Sequence, residues 1–419
     1  LSIIERSGSA QAWISASGSG EIEIRGVSKD QSESLTLGEE RIFESRALSD
    51  ASSLTNLDAA DTNSQGSLVL TASTAQISAI APMRGLAAAS CQQPANDFYL
   101  IGGSTLAGRE AILVLTNPSP IDATADLRIF TELGEVTVAG LSGISVPARS
   151  TSAISLSSFA PTVPSLAVQV QSQGAKLAGW IQQRAVRGTQ ATGVDWISPS
   201  TEASTTQVLP GLVIRGTRVI NQIRNSEENS DAGHSLRVFA PEGANLTVQI
   251  VSSDADVFGA VFTGIVEPGT VSDFPISELR DGNYSVFVSS DRPIYSGLKV
   301  ARGNPGASPR LDFAWVSPAQ ELVSDRAVLI PEDGDSILVL ANTGSSDSVV
   351  EVSNLVSGER VKVSVPSLGT ATVELSGAVA ISQAAGIFGT VVVLIEGQIS
   401  DLDVRDPKNL GAQVNVRFR

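Results

Sequence analysis

The sequence predicts an all-β protein built as a tandem array of about four Ig-like β-sandwich units, and three observations carry that expectation. Short β-branched or alternating runs recur along the chain, such as Ile112–Leu115, Leu166–Val170, Leu246–Ile250 and Val361–Val365. Each is bounded within a few residues by Gly, Pro, Asn, Asp or Ser, which supply turns. Helical periodicity is nearly absent; only Phe43–Leu57 and Ser376–Ala385 leave room for a turn or two of helix. Finally, one pattern of residues recurs at a regular interval.

The repeat opens with a strand, Ile112-Leu-Val-Leu-Thr-Asn117, which returns as Ile337-Leu-Val-Leu-Ala-Asn342 and more loosely as Leu236-Arg-Val-Phe-Ala-Pro241. A strand ending in a Pro/Gly turn follows at Val146–Thr151, Val266–Thr270 and Val365–Thr370. A closing segment ends in arginine: Ala178 to Arg184, Ser296 to Arg302 and Ile399 to Arg405. Opening strand and arginine lie roughly 65 residues apart in all three copies, the interval of a repeated structural unit. An earlier copy has Glu21–Ile24 as its expected opening strand, then Ser67–Leu70 and Ser78 to Arg84. Junctions repeat too, as Asp195-Trp196-Ile-Ser-Pro199 and Ala314-Trp315-Val-Ser-Pro318, with an earlier version at Ala12–Ser15. A tryptophan before Ser-Pro reads as a strand running into a rigid turn, its indole filling space between units. The units expected are therefore 1–93 (the most divergent), 94–204, 205–320 and 321–419.

Composition narrows the function. The 419 residues are 42% hydrophobic but 5% aromatic and 17% charged, so the core is aliphatic and ample, and intrinsic disorder is excluded. A single cysteine, Cys91, closes no intrachain bridge. A net charge of −16 argues against nucleic acid, whose binders present basic surfaces. The most apolar run, Ala384–Ile395, is broken by Gly386, Gly389 and Thr390 and is too short for the ~20 residues of a membrane span. Leu1 stands first and Met83 is the only methionine, so a signal peptide or anchor helix ahead of Leu1 is expected.

Catalytic parts are scarce. His234, the only histidine, would have to serve any Ser-His-Asp triad, zinc site or imidazole base, and it is read as a plain loop residue before a strand. No nucleophile elbow, paired-histidine metal motif or phosphate-binding Gly-Lys-Ser/Thr loop occurs. Glu332–Asp335, Asp254/Asp256 and Asp401/Asp403 with Asp406 have the oxygens to chelate calcium, but turn-forming aspartates explain them as well. A glycosidase acid pair needs only two suitably spaced carboxylates, yet four Trp and three Tyr offer few sugar platforms. Cys91 has no histidine in its unit to activate it. Arg84, Arg184, Arg302 and Arg405 are expected as hairpin-end or inter-unit hydrogen-bond donors, and Trp180, Trp196 and Trp315 as interior residues. No catalytic residue, cofactor or metal is assigned.

In order along the chain, Cys91-Gln-Gln-Pro94, Gly102-Gly-Ser-Thr-Leu-Ala-Gly-Arg-Glu110, Leu113-Val-Leu-Thr-Asn-Pro118, Val146–Thr151 and Gly193-Val-Asp-Trp196 resemble an uncharacterised actinobacterial "large secreted protein" family, a domain of unknown function. Val194 stands where that family has the second glycine of Gly-Gly-Asp-Trp. The resemblance covers most of residues 80–419. It implies an N-terminal anchor or signal and a gene neighbourhood of cell-envelope glycosyltransferases, and it carries over no active-site residue. The expectation is an exported or membrane-anchored, non-enzymatic envelope scaffold that binds a protein partner such as a glycosyltransferase. The competing readings are a carbohydrate-binding module for cell-wall glycan and an enzyme of unrecognised type.

Overall fold

The computed structural model describes residues 92–404 apart from 189, 201, 226–228, 306–309, 331–333 and 356. Beyond them it describes residue 87 and the backbone of strands Ala12–Ser17, Gly20–Gly26, Ser32–Leu37, Phe43–Leu48, Gly66–Ala72, Gln76–Ile80 and Val414–Phe418. Arg84, Cys91, Arg405 and Asp406 lie outside the described residues, as does Glu332.

The chain is nearly all β, as the turn-punctuated strands predict, and its sheets are antiparallel throughout. Three copies of one sheet share a single wiring. In the second unit the order is Ser150–Ser155, Arg109–Asn117, Ala178–Arg187, Gln190–Ile197. The third has Thr270–Ile276, His234–Ala240, the second half of Gly282–Asn304, then Arg310–Val316. In the fourth it is Thr370–Glu374, Asp335–Asn342, Ala384–Ile395, Gln398–Asp403. The repeated opening strand is thus second in each sheet, and the Pro/Gly turn feeds the strand beside it.

Each of these sheets faces a partner sheet across an aliphatic core, which makes a two-layer sandwich consistent with Ig-like units. Leu113, Leu115 and Ile181 of the second unit meet Ile129, Val168 and Val170 in one cluster. Leu338, Leu340 and Val391 meet Val350, Val352 and Val379 in the fourth. In the third unit, one long strand, Gly282–Asn304, serves both layers: its first half pairs with Ser204–Ile214 and Ala244–Ser252, its second with His234–Ala240. The repeated asparagines explain their own recurrence. Buried Asn117 donates to the carbonyls of Ile121 (2.9 Å) and Val146 (3.0 Å) and accepts from Ser119 N. Asn342 donates likewise to Ser346 (2.9 Å) and Val365 (3.1 Å) and accepts from Gly344 N. Each side chain satisfies backbone groups that a tight turn would otherwise leave buried and unpaired.

Three details depart from the sequence reading. Phe43–Leu48 and Gly377–Ile381 are strands, whereas the only α-helix among the described residues is Thr217–Arg224. That helix is eight residues long, too short to show periodicity, and Asp281 anchors its start by accepting from Thr217 N at 2.9 Å and Gly216 N at 2.8 Å. In the first unit, Ala12–Ser17 takes the opening-strand place between Phe43–Leu48 and Gln76–Ile80, while the expected Glu21–Ile24 lies in the other sheet. Finally, Val414–Phe418 pairs with Gly66–Ala72, so the end of the chain completes a sheet of the first unit.

Candidate functional site

The closing hairpins of the second, third and fourth units gather where the three units meet, and the gathering is built from polar groups taken out of water. Asp195 is fully buried. Its carboxylate accepts from Trp315 N of the third unit at 2.5 Å and from Ser400 Oγ of the fourth at 3.3 Å. Asp312, also buried, accepts from Ile399 N of the fourth unit at 2.8 Å. Burial pushes the Asp195 carboxyl well above the usual carboxylate range, against the backbone N–H groups that bind it, and the Asp312 charge adds to that rise. Asp312 is pushed up to about 7, again by burial. Gly193, two residues before Asp195, has a φ of +130°, and a Cβ there would sit 2.6 Å from Phe313 and 2.7 Å from Asp312. The Gly-Val-Asp-Trp segment is therefore the piece of the second unit that lets the third unit approach.

Trp196 and Trp315 are both interior, at 2% and 4% exposure. Trp315 belongs by chain order to the third unit but packs with Phe313 into the core of the second. Trp180 is buried at 1%. Arg184 and Arg302 occupy corresponding places and do different work. Arg184 lies 3.6 Å from Glu110 on the neighbouring strand of its own sheet, while Arg302 donates across the junction to the Gln398 carbonyl. The structure does not bring them together. Asp254 accepts from Asp256 N in an exposed turn, and among the described residues no three His, Cys, Asp or Glu side chains gather as metal ligands.

Beside this junction, between the second and third units, lies a cavity of about 250 Å³. Its charged lining was not legible as a motif, because its members are scattered from residue 109 to residue 312. Asp231 is the hub. Arg109 engages both its oxygens (3.0 and 2.5 Å), Arg187 donates at 2.9 Å, and the Lys299 ammonium is 3.8 Å away. Burial pushes Asp231 up, but the Arg109 hydrogen bonds and the Lys299 and Arg187 charges outweigh it and hold the carboxyl well below its ordinary value. Lys299 itself is lowered to about 8 by burial. At the cavity's inner edge Arg237 forms a fork with Asp273 (2.7 Å for each bond) and stacks on the Trp315 ring at 4.8 Å. The same guanidinium donates into the second unit, to the carbonyls of Gly103 (2.5 Å), Pro164 (3.0 Å) and Leu166 (3.4 Å). The Gly102-Gly-Ser-Thr segment thus supplies an acceptor for a neighbouring unit.

His234 is not a loop residue: it begins the strand His234–Ala240 and is buried against the cavity. Its Nδ1 accepts from Ala301 N at 3.1 Å, and burial, helped by the Arg224 charge, lowers its pKa to about 4. The ring is therefore neutral near pH 7, with its proton on Nε2.

No curated protein matches this chain. A family model, "Family of unknown function (DUF5719)", matches residues 44–382, which takes in the cavity lining and the second- and third-unit sides of the junction. The chain belongs to that family.

Proposed function

We propose that the protein is a non-enzymatic scaffold of an actinobacterial cell envelope, exported or anchored, whose rigid array presents a surface to a protein partner such as an envelope glycosyltransferase. The observation that carries this reading is the continuity of the cores across units. The core of the third unit takes in Ile337, Val339, Val392, Leu394 and Ile399 of the fourth, and the second takes in Phe313 and Trp315 of the third. Ordinary linked domains meet through small polar interfaces and move; interfaces built like a domain interior hold loops and edges at fixed separations. The carboxylates and arginines at the junction are spent on bonds between units, which supports a structural role for them over chemistry.

The glycan-binding alternative draws no support from the three tryptophans whose side chains are described, because Trp180, Trp196 and Trp315 are buried and form no exposed row of indoles. Crosslinking in intact cells followed by purification separates the two readings. A scaffold recovers a membrane glycosyltransferase or its neighbours and ignores purified arabinogalactan and peptidoglycan. Retention on either polymer without a protein partner would reverse the assignment.

A further inference from the structure

We propose that the edge strand Ala260–Val266 of the third unit is where two copies of this chain join, antiparallel, into one continuous sheet. This pairing goes beyond the scaffold reading and stands or falls separately from it.

Unpaired N–H and C=O groups on a sheet edge recruit other strands, so edges are kept short or charged. Three units place an edge strand in corresponding positions, beside Ala123–Thr131, Ala244–Ser252 and Ser348–Asn354. The second unit breaks that edge into two short pieces, Gly134–Glu135 and Ile144–Val146. The fourth arms it, since Arg360–Val365 carries the exposed cations Arg360 and Lys362. The third unit does neither. Its edge runs unbroken for seven residues and pairs, among the described residues, with Ala244–Ser252 alone. No charged residue occurs from Val257 to Val266.

This edge is firmly seated on its inner face. Phe262 packs on Phe274 with ring centroids 6.1 Å apart, and both lie against the core of the third unit. Gly264 lets the strand rest on that ring, since a Cβ there would be 2.3 Å from Phe274. The outer face is apolar and open. Val261 and Ile265 are 69% and 68% exposed, Thr263 between them is exposed, and Phe258 just ahead of the strand is 95% exposed.

A second copy fits this edge because the strand is complementary to itself. An antiparallel pair centred on Thr263 sets Val261 of each copy opposite Ile265 of the other, with the two threonines facing. Asp256 and Glu267, the nearest charges, then fall opposite Thr270 and Gly259, so no acid meets an acid. Sliding by two residues sets Ile265 against Gly259 in one direction and Val261 against Glu267 in the other. A one-residue slip turns the apolar face over. Parallel pairing in register would align Asp256 with Asp256 and Glu267 with Glu267, a like-charge penalty for two chains that each carry −16. The two-fold arrangement uses the same edge on both copies and therefore closes at two. One strand a side is a small interface, in the class of weak complexes that form and dissociate with concentration.

Sedimentation velocity of the full chain from micromolar to millimolar concentration tests the proposal. Monomer is expected to pass into dimer with no larger species, and added salt to favour the dimer by screening the two net charges. Val261→Lys and Ile265→Lys should each weaken the dimer at least about tenfold, because symmetry introduces every lysine twice at the edge. Both side chains face solvent, so the urea midpoint of the monomer should stay in place. In a Cys91→Ser background, Thr263→Cys should be joined into dimers by a short bismaleimide, while Ser364→Cys, on the charged edge of the fourth unit, should not. A chain that is monomeric at every concentration overturns the proposal. So does a dimer indifferent to both lysine variants, or one that cross-links equally well at Ser364→Cys. A monomer that Val261→Lys strips of its crosslinked envelope partner would give the edge to that partner. A monomer captured by phosphatidylcholine vesicles, and released by Phe258→Ser, would give it to a lipid surface; either result refutes the second copy.

Discussion

Replacing Arg237 by methionine should do more damage than removing the carboxylate it pairs with, and the asymmetry can be worked from the geometry. Arg237 is 3% exposed and ties Asp273, Gly103, Pro164 and Leu166 together across two units. Without it, Asp273 loses its counter-ion, and the Gly103 and Pro164 carbonyls lose a donor at the interface. Leu166 fares better, because its carbonyl also accepts from Gly102 N. Breaking a buried pair in this way costs about 3–5 kcal/mol. Asp273→Ala leaves the guanidinium its three carbonyls and its place over Trp315, and the lost carboxylate is 29% exposed. That loss should come to about 1–2 kcal/mol. In Arg237→Met/Asp273→Leu the second substitution removes a carboxylate that has already lost its guanidinium and keeps only the Ser165 hydroxyl (2.8 Å) and the Lys299 charge, so the double variant should cost less than the sum of the two. Urea unfolding followed by tryptophan fluorescence provides the assay, since the three described indoles are interior. Limited proteolysis between residues 199 and 207 would report separation of the units. Equal losses for Arg237→Met and Asp273→Ala, or a loss under about 1 kcal/mol for Arg237→Met, would refute the idea that this arginine locks the two units together.

Further outcomes follow from the same junction. Trp315→Ala and Trp196→Ala should each cost about 3–5 kcal/mol in the same urea assay, the loss typical of a buried aromatic. Gly193→Ala forces a Cβ against Phe313 and Asp312 at a positive φ, and should lower stability by about 1–3 kcal/mol. The pH dependence has a definite sign. Asp312, with a folded pKa near 7, holds a proton that the unfolded chain gives up, so its contribution is full below about pH 4 and is lost as pH rises to 7. His234, lowered to about 4, works oppositely: its contribution is present above pH 6.5 and lost as pH falls to 4. The stability advantage of the parent chain over Asp312→Asn should therefore grow as pH falls from 7 to 4, while its advantage over His234→Gln should shrink. Urea midpoints across that range decide both.

The repeat made the architecture legible because strand order is a local matter. Once Ile112–Asn117, Val146–Thr151 and Ala178–Arg184 were seen to recur, the wiring of the sheet was implicit. The cavity was not legible, because it is assembled between units from positions that look unremarkable one at a time. Arg237 shows why. In Leu236-Arg-Val-Phe-Ala240 the alternation assigns Leu236 and Val238 to the core and Arg237 to solvent, yet both faces of this strand are buried. The available signal was Phe239 on the same face as Arg237, since an aromatic there implies a covered surface. It packs at a tilt against Phe130 and stacks with Tyr295 at the interface, with ring centroids 4.4 and 6.2 Å away. His234 misled for a related reason: Asp-Ala-Gly before it reads as a loop, and nothing local reveals that another unit closes over it.

The pairing of Val414–Phe418 with Gly66–Ala72 turns a string of beads into a clasped bracelet. In the later units the corresponding edge place is filled by a strand that precedes the opening strand, namely Asp97–Ile101, Ser204–Ile214 and Arg326–Ile330. The first unit borrows its edge from the far end of the chain. Synthesis therefore delivers its missing piece after the three later units, and the first unit holds an incomplete sheet until residues 414–418 emerge. The entropy of closing so long a loop becomes affordable once the intervening units have folded and shortened the effective tether. A circular permutant that moves residues 405–419 ahead of Leu1 would place all four edge strands before their opening strands, making the first unit able to close as soon as it is made.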